Sequence, residues 1–130
     1  MRKKAILTGV CLLLLVAAFA AYSFYSNSLR RQSGERNIAE RMASLRSVLH
    51  TGMTRGEIDE ILRQRFPSVF AQGLNFEDYH VLLGRLPSTV LYCSYEDVSA
   101  RLQFNLSGPS PSPQDRLIAI TEHRQSMDCL

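Results

Sequence analysis

Hydrophobic positions along this chain follow three successive patterns. Residues 5–25, AILTGVCLLLLVAAFAAYSFY, are 21 consecutive positions without a charge. As a helix this block is about 31 Å long, close to the thickness of a bilayer's hydrocarbon core. Over residues 28–50 the apolar positions recur at steps of three and four: Ile38, Met42, Leu45, Val48 and Leu49. That spacing predicts an amphipathic helix docked on the rest of the protein or on a second copy, with Ser33-Gly34 as the point where the preceding helix ends or kinks. From Tyr79 onward the period falls to two, the spacing of half-buried strands.

Between these regions lies a well-marked helix start. Thr51-Gly52-Met53 breaks the 28–50 helix, Thr54 is placed to cap the next, and Glu57 stands three residues on, the spacing of a capping box. Met53 before the cap can staple onto Ile58, and Ile58, Ile61 and Leu62 supply a narrow apolar stripe. Phe66-Pro67 predicts the stop, since Pro disfavours helical geometry in the residue before it.

Four strands are predicted after that. The first begins at His80-Val81-Leu82-Leu83 and stops near Pro87; the second covers 89–95 and turns at Glu96-Asp97. In the third, Val98, Ala100, Leu102, Phe104 and Leu106 alternate with Ser99, Arg101, Gln103 and Asn105. The last covers 116–123, with Leu117 and Ala119 on one face and Ile118 and Ile120 on the other. Between the last two, GPSPSP (108–113) cannot pair in a sheet and predicts a flexible loop. The expected fold is α+β: an N-terminal transmembrane helix, then two helices on one face of a three- or four-stranded antiparallel sheet. Three regions follow: an anchor or signal peptide at 1–25, a juxtamembrane basic helix at 26–50, and a small domain at 51–130.

Two readings of the first block remain open. A signal peptide needs a basic start, a short apolar stretch and a small-x-small cleavage site, which Ala18-Phe19-Ala20 supplies. An uncleaved anchor is favoured by the apolar run continuing past Ala20 and by Tyr22, Phe24 and Tyr25, placed as an aromatic belt. Either way Arg2, Lys3 and Lys4 hold the start in the cytoplasm and send the remainder across. Cys11 is no lipid-attachment site: Val10 before it is not small, and the apolar run continues behind it.

Charge sharpens the picture. The net charge of +3 comes from Arg2, Lys3 and Lys4; residues 26–130 hold 12 Arg, no Lys and 12 acids. A nucleic-acid partner is therefore not expected. Arg30, Arg31, Arg36, Arg41 and Arg46 face only Glu35 and Glu40 within 26–50, a basic segment suited to anionic headgroups or to a solvated helix face.

Candidate chemistry is sparse. Cys93 and Cys129 can pair in an oxidising compartment. Cys93, His80, His123 and Asp97 contain the residue types of a thiol-nucleophile site but are scattered in sequence, and His50, His80, His123 and Cys93 lack metal-ligand spacing. No cofactor, metal or small-molecule ligand is expected. Asn105-Leu106-Ser107 matches a glycosylation sequon, meaningful only in a eukaryotic secretory pathway. The polar alternate positions Ser99, Arg101, Gln103 and Asn105 suit a protein-binding face.

Gly52-Met53-Thr54, the short helix after it, Pro67 and the Arg101-Leu102-Gln103-Phe104-Asn105 strand together resemble the SmpA/OmlA (BamE-like) envelope proteins over residues 48–123. The resemblance implies an α-α-β-β-β domain facing the periplasm, accessory to outer-membrane assembly. The β-lactamase inhibitory protein shares that fold and binds proteins with its sheet. The chain departs from the family's Leu-Gly-x-Pro helix ending, having Leu62-Arg63-Gln64-Arg65-Phe66-Pro67, and from its lipid anchor. The expected function is a membrane-tethered interaction module for another envelope protein, in a single-pass inner-membrane topology. The alternative is an exported inhibitor or regulator of a secreted enzyme; a thiol-dependent enzyme ranks below both.

Overall fold

The computed structural model describes residues 2–66, 78–90 and 92–129. Two helices, α1 (Arg2–Val48) and α2 (Arg55–Arg65), precede three strands, β1 (Tyr79–Pro87), β2 (Cys93–Asn105) and β3 (Arg116–Cys129). The strands form one antiparallel sheet in the order β1-β2-β3. The protein is therefore α+β, with one long helix apolar in its N-terminal part, one short helix and a three-stranded sheet.

α1 is unbroken, about 70 Å from end to end. The expected interruption at Ser33-Gly34 does not occur, and no break separates 1–25 from 26–50. Gly34 serves packing instead: a Cβ there would stand 2.5 Å from Leu86 Cδ2, and one at Gly84 would stand 3.0 Å from Ile38 Cγ1. The two glycines let α1 lie close along β1. From Leu12 to Phe19 the large apolar side chains of α1 are exposed, whereas Ile38, Met42, Leu45 and Leu49 are buried. One helix thus carries both an uncovered apolar span and a docking stripe.

The core lies between that stripe, Ile58 and Leu62 of α2, and one face of the sheet: Tyr79, Val81, Leu83 and Leu86 on β1, Val98, Ala100, Leu102 and Phe104 on β2, Leu117 on β3. Each fully buried aliphatic side chain contributes about 1.5–3 kcal/mol. The connector between the helices is drawn onto β3, where Gly52 N donates to Leu117 O (2.8 Å) and Leu117 N to Met53 O (2.9 Å). Thr54 opens α2 with a complete capping box: Glu57 N donates to Thr54 Oγ1 (3.3 Å) and Thr54 N to Glu57 Oε2 (2.8 Å). Met53 packs, half-buried, against the core. α2 ends at Phe66; Pro67, expected to stop it, lies outside the described residues.

The sheet corrects the predicted strands. The expected second and third strands are one, β2, with no turn at Glu96-Asp97: Glu96 pairs with Leu86 and Ser126, Asp97 with Arg85 and Gln125. Two adjacent acids usually mark a turn, but each here meets a distant arginine. Arg31 Nη2 reaches Glu96 Oε2 at 2.8 Å and Arg85 Nε reaches Asp97 Oδ1 at 2.8 Å. The strand expected at 89–95 contributes only its end; Leu91 lies outside the described residues. β3 runs past His123 to Cys129. Its expected alternation also fails: the register shifts between Gln103 and Phe104, so Leu117 is buried, Ile120 packs against the same core and Ile118 points outward. A second shift, between Leu82 and Gly84, leaves Leu83 outside the pairing, and Arg41 Nη1 donates to its carbonyl at 2.7 Å.

The 107–115 connection is held by a buried carboxylate and by two backbone bonds from α2, Gly56 N to Pro113 O (3.0 Å) and Arg55 N to Asp115 O (2.8 Å). Asp115, 1% exposed, accepts from Ser107 N (2.9 Å), Ser107 Oγ (2.8 Å) and Ser112 N (2.7 Å). Those bonds hold its carboxyl below the ordinary value against the opposing effect of burial. Arg55, also buried, brings Nε to 3.6 Å from Asp115 Oδ2, with its guanidinium over the rings of Phe104 and Tyr79. The GPSPSP tract is therefore not a free loop; its ends are anchored from below.

Candidate interaction face

The helices cover one face of the sheet, leaving the other open. Strand alternation puts His80 and Leu82 of β1, Tyr95, Asp97, Ser99, Arg101, Gln103 and Asn105 of β2, and Thr121 and His123 of β3 on this outer face. The four expected binding positions share the face but not the same accessibility. Asn105 is exposed at the end of β2, Gln103 is half-buried, and Arg101 is engaged with Asp78 (Nε to Oδ2, 2.7 Å). Ser99 is the correction: it is buried, with its hydroxyl 3.4 Å from His80 Nδ1 and donating to the His123 carbonyl at 3.4 Å. The rings of His80 and His123 close over it, edge to face, at 5.2 Å between centroids. A small polar residue between two imidazoles is covered even on an open face.

The histidine pair escaped sequence reasoning because residues 80 and 123 lie on β1 and β3, brought together only by the meander. Burial pushes the His80 imidazole below its ordinary value, with His123 and Arg101 adding to the shift and Asp78 opposing it. Apolar contact area comes from Leu82 (40% exposed) and Ile118 (57%). At the other end of the sheet Arg85 stacks on Tyr95, 3.8 Å from the ring centroid, and pairs with Asp97. An exposed arginine–aromatic stack on the same face as exposed aliphatic side chains suits protein contact.

Cys93 is bonded to Cys129, which removes the thiol from the Cys93, His80, His123 and Asp97 combination. His50 follows the end of α1, and no group of three or more His, Cys, Asp or Glu side chains gathers in metal-binding geometry among the described residues. The buried Arg55, Asp115 and Tyr79 lie on the opposite, helix-covered side. Asp59 on α2 has its carboxyl raised, chiefly by burial, with Tyr79 and the charges of Arg55 and Arg63 opposing.

A second polar cluster joins α1 to the sheet. Arg124 of β3 makes paired contacts with Glu35 of α1 (Nη1 to Oε1, 2.8 Å; Nη2 to Oε2, 2.9 Å) and reaches Glu122 at 2.6 Å. Arg31 joins Glu96 at 2.8 Å and donates to the Pro87 carbonyl at 2.6 Å. The hydrogen bonds from Arg124 are the leading cause that lowers the Glu35 carboxyl. No family model, curated protein or solved structure matches this chain.

Proposed function

We propose that the protein is a membrane-tethered interaction module that holds another envelope protein on the open face of its sheet. The observation that carries this reading is the one-sided sheet: α1 and α2 bury one face, and the other presents Leu82, Ile118, Arg85, Tyr95 and the Arg101–Asp78 pair to solvent. α1 supports the tether, since its N-terminal part is long and apolar enough to cross a bilayer. The apolar run continuing past Ala20 and the exposed Tyr22, Phe24 and Tyr25 support an anchor over a cleaved leader. The Cys93–Cys129 disulfide supports an oxidising compartment and hence a periplasmic domain with a cytoplasmic N-terminus. The helix-helix-strand-strand-strand order is compatible with the BamE-like resemblance and an accessory role in envelope assembly.

Capture of partners from detergent-solubilised membranes tests the reading. Leu82→Glu and Arg101→Glu alter the open face and leave the buried core untouched. Both variants are expected to fold and to lose partners that the native chain retains. Retention of every partner by both folded variants would remove the open face as the binding surface.

A further inference from the structure

The direction of α1 along β1 fixes which end of the sheet faces the apolar span. Arg31 bonds the Pro87 carbonyl, Gly34 underlies Leu86, Ile38 meets Gly84, and Arg41 bonds the Leu83 carbonyl. Ascending α1 therefore means descending β1, and the β1–β2 turn points toward the helix N-terminus. Arg31 lies six residues beyond Tyr25, about 9 Å along the axis. Past Pro87 the chain bends at Thr89 and Val90, where Val90 N donates to Ser88 Oγ (3.0 Å) and Cys93 N to the Val90 carbonyl (3.1 Å). The turn thus lies at the end of the sheet that faces the apolar span, beyond the level of Arg31.

The chemistry of this tip differs from that of the sheet above it. Ten consecutive residues, 86–95, carry no charge. Tyr92 has 62% of its surface exposed in the turn that points toward the helix N-terminus, the side on which Tyr22 and Tyr25 of α1 are also exposed. Tyrosine combines an apolar ring with a polar hydroxyl and concentrates at membrane–water interfaces. The tip is also fixed in place: Cys93–Cys129 ties β2 to β3 at this end, and Arg31, Glu35, Glu96 and Arg124 bind both strands to α1.

We infer that the β1–β2 tip rests on the bilayer surface, with Tyr92 seated among lipid headgroups as a second membrane contact beside α1. The sheet then stands upright on the membrane with its open face turned sideways, toward partners in the same membrane. This rests on the anchor reading of α1.

Because the chain contains no Trp, single substitutions give clean optical probes. The full chain is reconstituted into vesicles of phosphatidylcholine and phosphatidylglycerol, with and without lipids brominated near the headgroup. Tyr92→Trp is compared with Tyr25→Trp in the span and Asn105→Trp, which is exposed at the opposite end of β2, about 40 Å away along the strand. The expected result is blue-shifted emission and several-fold stronger quenching for Tyr92→Trp than for Asn105→Trp. Quenching of Tyr25→Trp alone would overturn the inference while leaving the anchor standing. Quenching of none of the three would overturn the anchor reading and the inference together.

Discussion

At the scale of single residues, local and non-local side chains play separable parts. Thr54 acts within its own helix turn, so Thr54→Ala should lower stability by about 1 kcal/mol, read as a shift in the denaturation midpoint of the detergent-solubilised chain. His80 acts across the sheet. Its folded-state imidazole sits below the ordinary value of 6.5, so the unfolded chain takes up the proton first. Stability should be full above pH 6.5 and fall as the pH drops below it, levelling once the folded imidazole also titrates. His80→Gln should flatten that limb in melting curves recorded against pH. A separate acid limb should survive, where the lowered carboxyls of Glu35 and Asp115 lose their bonds below their ordinary values of 4.5 and 3.8.

The elements show what holds a small sheet together when its hydrophobic core is modest. α1 approaches β1 closely because Gly34 and Gly84 present no side chain. At the far end of the sheet the apolar stripe gives out, and the Arg31–Glu35–Glu96–Arg124 cluster takes over the contact. Partly exposed ion pairs contribute little individually. The covalent link between Cys93 and Cys129, 36 residues apart, is therefore expected to matter more at this end. On a chain-entropy account it contributes about 4 kcal/mol. Replacing both cysteines with Ser, or reducing the native chain, should lower the melting midpoint by an amount corresponding to about 2–4 kcal/mol. Equal stability of the oxidised and reduced chains would show that the ion cluster suffices.

For the molecule as a whole, one unbroken helix carries both the apolar N-terminal stretch and the stripe that docks on the sheet, so helix connects Tyr25 directly to the domain. This couples the orientation of the open face to the orientation of α1. The proposed topology is testable directly: alkaline phosphatase fused after residue 130 should be active, and a reporter that works only in the cytoplasm should be silent. The reverse pattern would eliminate both the anchor and the exported readings. A rigid tether also predicts that inserting a short Gly-Ser segment between Asn27 and Arg30 would leave the domain folded yet weaken partner capture.

The features legible from sequence alone are those set by neighbours within a few residues. The charge-free block at 5–25, the stripe from Ile38 to Leu49 and the Thr54–Glu57 spacing each depend on helix periodicity or on one turn of backbone. The α+β class follows from the change of period at Tyr79. Long-range contacts decided the remainder. Glu96 and Asp97 sit in mid-strand because Arg31 and Arg85 reach them from elsewhere; Gly34 continues a helix because Leu86 occupies the space beside it. The register shift between Gln103 and Phe104 places Leu117 and Ile120 on one face, against simple alternation, because an extra residue of β3 opposite that step turns the following side chain to the other face. Ser99 is covered because the meander folds His80 and His123 over it. Periodicity assigns a residue to a face, but only the tertiary packing determines what stands beside it there.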